Sequence, residues 1–184
     1  MSRADLWNKR YLNKTDTAPV LPAELQRQLD SLAPGHTLDL ACGDGAAALY
    51  LASAGHQLMA VDFAERGLRR LQQFAADHSV TVESHRCDLN NPDELRGLGR
   101  FDNIVIVRYL PERLLLNMLP DLMKPGAHLL ITTFNQEHHL QSGFPLRFCL
   151  QPQQLIDQLP RLTLVCYDNG LLKGSVFDSY LFTL

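Results

Sequence analysis

The 184-residue chain has no stretch approaching the ~18 consecutive apolar residues of a membrane span. Its opening, Met1 to Leu12 (MSRADLWNKRYL), lacks the apolar core of ~7–15 residues that a signal peptide needs, so neither membrane insertion nor export by that route is expected. Cysteine is scarce. Cys42, Cys87, Cys149 and Cys166 lie far apart with no C-x-x-C pair, which argues against a zinc centre or a redox dithiol and points to a reducing cytoplasm. There is no excess of basic residues either: 17 Lys and Arg face 20 Asp and Glu, a net charge of −3, so capture of a nucleic-acid backbone is not expected. Internal repeats, low-complexity tracts and long polar linkers are missing, and residues 1–184 read as a single domain. What is present is ordinary globular material, 46% hydrophobic and 20% charged, enough for a sizeable core.

Hydrophobic periodicity divides the chain into alternating elements. Pro22 to Leu32 carries Leu25, Leu29 and Leu32 at helical spacing and stops at Pro34-Gly35. A strand over Thr37–Ala41 enters Cys42-Gly43-Asp44-Gly45, and Ala46–Ala54 follows as a helix ending at Gly55. The order then repeats, with a strand over 57–62 and a helix over 64–77 that buries Leu68, Leu71 and Phe74. Further strands are predicted over 80–84, over the β-branched run 104–107 and over 128–134. A leucine-rich helix over 111–123 must kink or restart at Pro120, and Lys124-Pro125-Gly126 reads as a turn. Residues 135–151 show no clear period and form a candidate substrate loop or lid; a short helix over 152–159 and strands over 162–167 and 176–184 complete the chain. The result is an α/β fold, a three-layer αβα sandwich around a seven-stranded, mostly parallel Rossmann-like sheet with an antiparallel last strand.

A parallel sheet binds ligands beyond the carboxyl ends of its strands, where strand order reverses. Four features converge there. Asp39 to Gly45 supplies glycines that tolerate unusual backbone angles, and Asp62, 19 residues after Gly43 and followed by Phe63, is placed to accept from a ribose diol. Asp88 and Leu89 could read an adenine edge, and Arg108-Tyr109 faces the reacting end. Each has a structural alternative: a tight connection for the glycines, a helix cap for Asp62, and a turn through Asn90-Asn91-Pro92 for Asp88. Gly43 to Ala48 also fits the G-x-G-x-x-A form of dinucleotide sites. Asp44 argues against a phosphate, since a carboxylate at a helix N-terminus would cap the amides and repel an anion. S-adenosyl-L-methionine, with its ammonium and sulfonium charges, tolerates both Asp44 and Asp39.

Leu38-Asp39-Leu40-Ala41-Cys42-Gly43-Asp44-Gly45 resembles the first motif of class I S-adenosylmethionine-dependent methyltransferases, with Ala41 in place of the usual first glycine. Val61-Asp62 is similar to the family's ribose-binding position and Cys87-Asp88-Leu89 to its adenine-binding position. Phe101-Asp102 to Val107 and Leu122 to Gly126 resemble its fourth strand and following turn, where Ala127 departs from the pattern. The short length and Leu6-Trp7-Asn8-Lys9-Arg10-Tyr11 resemble the small tellurite-resistance and thiopurine-type methyltransferases. That resemblance implies an N-terminal segment, within 1–34, folded over the cofactor, bringing Trp7, Arg10 and Tyr11 to the site with Arg10 on the methionine carboxylate.

The resemblance implies methyl transfer by in-line displacement to a small-molecule acceptor: a thiol, a chalcogen oxyanion or another small nucleophile. Arg108, Tyr109, His138, His139 and Arg147 are the candidate acceptor-side residues, and no metal is expected. Arg108-Tyr109-Leu110-Pro111 stands where acceptors that are nucleobases or glutamine amides call for N-P-P-Y or D-P-P-Y, which favours a small molecule. The expected assembly is a monomer or homodimer. Two rivals stay open, an NAD-dependent oxidoreductase and a module that binds S-adenosylmethionine without turnover.

Overall fold

A computed structural model describes residues 3–184. Its sheet contains β1 (His36–Leu40), β2 (Gln57–Asp62), β3 (Val82–Arg86), β4 (Phe101–Val107), β5 (Met123–Phe134), β6 (Thr163–Asp168) and β7 (Phe177–Thr183), in the order β3-β2-β1-β4-β5-β7-β6. The first five pair in parallel, and β7 runs antiparallel to both of its neighbours. The β-branched run of β4 shows why the sheet is central. Ile104 and Ile106 enter one core with Leu38, Leu40 and Tyr180, while Val105 between them enters the other with Ala60 and Leu130. Among the described residues six α-helices accompany it: α1 (Arg3–Leu12), α2 (Ala23–Leu29), α3 (Ala46–Ser53), α4 (Glu65–Asp77), α5 (Arg113–Met118) and α6 (Gln136–Ser142). Leu25 and Leu29 of α2, Ala48 of α3 and Leu71 and Phe74 of α4 cover one face, and Leu115 and Leu116 of α5 help cover the other.

Several boundaries differ from the sequence reading, each for a local reason. Residues 3–12 form a helix, α1, whose Asn8 side chain accepts the backbone N–H of Arg66 in α4 at 2.9 Å. Pro120 restarts rather than kinks its helix: α5 ends at Met118 and a 3-10 turn over Leu119–Leu122 takes the proline near its start, where no donor is missed. Lys124-Pro125-Gly126 is not a free turn but the first part of β5, bulged against β4 between Phe101 and Asn103. Lys124 is pinned there by Asp102 at 2.9 Å, and Gly126, with φ of +77°, donates to the Leu184 carbonyl. The aperiodic 135–151 stretch contains α6, capped by the Asn135 side chain on the Glu137 N–H and ended by left-handed Gly143. The helix expected over 152–159 shrinks to a 3-10 turn, Ile156–Gln158, because Gln153 takes a φ of +62° and points its N–H at the Tyr167 hydroxyl.

The chain runs β1, β2, β3 toward one edge and then crosses back to place β4 on the other side of β1. The order therefore reverses between β1 and β4, and the carboxyl ends of β1, β2, β4 and β5 share one edge with the glycine loop, Asp62, Arg108 and Phe134. Among the described residues, no helix is long and apolar enough to cross a membrane.

Candidate functional site

The glycine loop leaves β1 through three left-handed residues, Ala41 (φ +61°), Gly43 (φ +60°) and Gly45 (φ +94°). Packing as well as dihedral demands the two glycines. A Cβ on Gly43 would lie 2.6 Å from the Tyr11 hydroxyl, and one on Gly45 would overlap Leu71 Cδ1. Gly67, which the sequence reading passed over, is the third close approach: a Cβ there would meet the Gly43 carbonyl oxygen at 2.8 Å and Tyr11 Cε2 at 3.0 Å. These three glycines let α1, α4 and the loop nest together. Ala41 holds its left-handed angle without being glycine and bears strain of about 1 kcal/mol.

Three carboxylates surround this loop and behave differently. Asp62 is buried, accepting the Gly43 N–H at 2.9 Å with one oxygen and the Ala64 N–H at 2.8 Å with the other. Burial still pushes its carboxyl up, against the pull of those amides. The helix-cap alternative is not what the structure shows, since α4 follows an N-cap residue, Ala64, with no side-chain cap; Asp62 instead braces the connection between β2 and α4 against the glycine loop. Asp39 is 1% exposed. It takes the Ala48 N–H at the start of α3, but its Oδ2 has no partner among the described residues, and burial, with Asp62 nearby, pushes the carboxyl up to about 8. Burial likewise raises the Cys42 thiol.

Asp44 corrects the sequence argument. The residue capping α3 is Gly45, with no side-chain cap, and the Asp44 carboxylate is clamped by Lys14 Nζ at 2.9 Å to both oxygens and by Arg70 Nε at 3.3 Å. With its charge answered by two cations, Asp44 neither caps the helix amides nor repels an anion as a free carboxylate would. Lys14 and Arg70 carried no motif and were missed. Arg70 also donates to the Thr15 carbonyl at 2.8 Å, fastening the segment after α1 to α4.

Of Trp7, Arg10 and Tyr11, only Tyr11 is buried against the loop, where desolvation and the charges of Asp62 and Asp44 push its hydroxyl up. Trp7 is 38% exposed, with the Arg10 guanidinium 4.6 Å above its ring, so both present surface to solvent. Asp88 is exposed and accepts the Asn90 backbone N–H at 3.0 Å, the turn-forming alternative, while Leu89 is buried in the core. Phe63 and Tyr109 are half-buried.

At the ends of β4 and β5 the chemistry changes. Arg108 is an exposed residue in the left-handed region (φ +58°) with its Cζ 5.9 Å from the Phe177 ring centroid; partial desolvation of its guanidinium lowers its pKa and Asp44 opposes that. Phe134 closes β5 and stacks on His138 at 4.0 Å, with Phe144 and Phe177 each 5.2 Å away. Burial and Arg108 together push the His138 imidazole down, so the ring is neutral near neutral pH. Arg147 lies over the exposed Phe148 ring at 4.7 Å, and the His139 ring bonds the Phe144 carbonyl at 2.7 Å. The sequence reading had Arg108, His138 and Arg147 but not the phenylalanines between them, whose spacing has no period.

Comparison with known proteins agrees with this architecture. Residues 3–174 match the family model described as tellurite resistance protein TehB. TehB from Haemophilus influenzae superposes with a TM-score of 0.69 at 16% identity, covering 98% of this chain and 66% of its own. The N-methyltransferase NodS from Bradyrhizobium japonicum, solved with S-adenosyl-L-homocysteine, gives 0.72 at 19% identity, covering 99% and 98%. A 2-heptyl-1-hydroxyquinolin-4(1H)-one methyltransferase from Mycobacteroides abscessus is 29% identical over 110 residues, 55% of this chain and 47% of that enzyme. The chain spans about half the length of the curated relatives it matches, 55% in the case of Hemagglutinin 1 from Eikenella corrodens. The Rossmann-like fold with its antiparallel β7 is that of the methyltransferase neighbours, and the match across residues 3–174 makes this chain a member of the TehB family.

Proposed function

We propose that the chain is an S-adenosylmethionine-dependent methyltransferase acting, in a reducing cytoplasm, on a small-molecule acceptor: a thiol, a chalcogen oxyanion or another small nucleophile. The observation that carries this reading is the buried acid pair at the strand-order reversal, Asp39 with an unpartnered oxygen beside Asp62. Two buried acids side by side, one of them protonated near neutral pH without a counter-charge, would ionise together beside a cation, and S-adenosylmethionine carries a sulfonium and an ammonium. The family supports the reading, as does the NodS neighbour, solved with the demethylated cofactor. The hydroxyquinolinone enzyme and the tellurite-resistance family both point toward small acceptors.

On this reading Asp62 and Phe63 hold the ribose side, Ala41, Cys42, Gly43 and Gly45 present loop backbone, and Asp39 faces the positive charge. Asp88 and Leu89 flank the base, and Trp7, Arg10, Tyr11 and Arg108 close the site. When bound, the cofactor supplies a methyl group without its bonding electrons: the acceptor's lone pair forms the new bond and the C–S pair returns to sulfur. The chain's own task is alignment and exclusion of water, to which Tyr11 packed on the loop and the Lys14–Asp44–Arg70 clamp contribute. His138, neutral near pH 7, is the available base for an acceptor that must lose a proton.

Calorimetric titration with S-adenosylmethionine, S-adenosylhomocysteine and NAD in parallel tests the reading. Binding of the first two without NAD is expected; NAD binding alone would overturn it. Incubation with thiols and anionic acceptors then separates an enzyme from a module that binds without turnover, the enzyme consuming cofactor only when an acceptor is present.

A further inference from the structure

The ring cluster at the end of β5 is larger than packing of that strand needs, and it opens outward. Phe134, His138 and Phe144 form a triangle with centroids 4.0, 5.2 and 5.1 Å apart, and Phe148, 44% exposed, continues it 6.0 Å beyond Phe144. Phe134 is the hub, tied to Phe177 of β7 across the β5–β7 pair. His138 and Phe144 are only half-buried, so ring surface stays in contact with water at a cost that a ligand's ring would remove. The cluster stands beside Arg108, whose guanidinium lies at the Phe177 edge of the same group. Asp44, the anion that acts on Arg108, is itself engaged by Lys14 and Arg70, so Arg108 keeps its charge for another partner. His138 is uncharged near neutrality and offers a π-face without a competing cation.

Resting on the methyltransferase reading above, we propose that the acceptor is a planar aromatic molecule bearing an ionised oxygen, its ring on the His138–Phe144 surface and its oxygen against the Arg108 guanidinium. A compact oxyanion or aliphatic thiol gains nothing from four aromatic rings, whereas a fused or substituted ring covers them. The ionised oxygen brings the electron pair for the new C–O bond. Its negative charge and the sulfonium's positive charge cancel in the step, and no proton has to leave.

The test uses the full chain saturated with S-adenosylhomocysteine and titrated with 1-hydroxyquinolin-4(1H)-one, with quinolin-4(1H)-one lacking the acidic hydroxyl, with tellurite and with 2-mercaptoethanol. The hydroxyl compound is expected to bind best. Phe148→Ala, at an exposed position that leaves the core intact, and Phe144→Ala should each weaken it about five- to tenfold, the scale of one ring contact, with cofactor affinity unchanged. Arg108→Ala should erase the preference for the hydroxyl over the parent ring. Tellurite or thiol bound equally well by the wild type and Phe148→Ala, with neither quinolinone bound, would overturn the acceptor assignment and leave the methyltransferase reading standing. Failure of the wild type to bind S-adenosylhomocysteine would strike that reading itself, and the acceptor assignment with it.

Discussion

The two ends of the crevice are built on opposite plans. At the glycine-loop end, backbone and side-chain polar groups answer one another at short range: Asp62 ties two segments through their amides, Lys14 and Arg70 clamp Asp44, and Gly43, Gly45 and Gly67 admit neighbours no other residue would. At the end carrying the ring cluster the holding forces are ring contacts among Phe134, His138, Phe144 and Phe148, one stacked and the others tilted, worth about 0.5–1.5 kcal/mol each beyond area burial. Hydrogen bonds fix positions to tenths of an ångström, whereas stacked rings tolerate sliding. The first plan suits a ligand that never changes, and the second suits one that can be exchanged by altering a few apolar side chains.

Glycine substitution sharpens that contrast most. Gly45→Ala adds left-handed strain to an overlap with Leu71 and should cost roughly 3 kcal/mol in urea unfolding, while Gly143→Ala, also left-handed but with open space around it, should cost only about 1 kcal/mol. Equal losses would mean the two ends are packed alike. Next in size, Asp62→Ala should weaken S-adenosylmethionine binding by roughly 1.5–3 kcal/mol, read by calorimetry. Retained affinity would place the ribose elsewhere.

A further effect, read in pH dependence, concerns Asp39. Its folded pKa of about 8 lies above the usual carboxylate value, so the folded state holds a proton that the unfolded chain has released, and stability falls as pH rises toward 8. Asp39→Asn should flatten that decline, so that denaturation at pH 5 and pH 8.5 shows the variant gaining on the wild type at the higher pH. The smallest change is Ala41→Gly, expected to stabilise by less than about 1 kcal/mol, since relief of the φ +61° strain is partly offset by glycine's greater freedom when unfolded. Thermal midpoints resolve that difference.

Legibility in the sequence followed the same division. The strands and glycine turn of the first half stand out because apolar periodicity and Gly-x-Gly are local signals, and 57–62 was read with the observed limits of β2. Asp62 was read as a ligand group or a helix cap, and it takes neither the N2 nor the N3 amide of α4 but the Gly43 and Ala64 amides that join the loop to the end of β2. Lys14 and Arg70 escaped because a pairing across 26 or 30 residues leaves no local trace. The Asn135 cap with Gly143 after it was a readable signal for α6, obscured by the absence of an apolar stripe: no residue of α6 is buried. Lys124 to Gly126 looked like a turn because proline and glycine usually make one, yet the Asp102 contact and the Leu184 carbonyl hold them in the sheet.

The position of β7 has a consequence for how the chain is assembled. It is made after β6 but lies between β5 and β6, so β6 emerges from the ribosome with no strand to pair with and must wait for its neighbour. Until then the β5 edge, which ends in Phe134, is bare, and Tyr180 and Phe182 are missing from the core they complete. The parallel half, with its glycine loop, can therefore consolidate during synthesis, whereas the ring cluster on Phe134 and Phe177 is finished only after β7 is released. A stalled or prematurely stopped chain would carry a nearly formed loop beside an open, adhesive sheet edge.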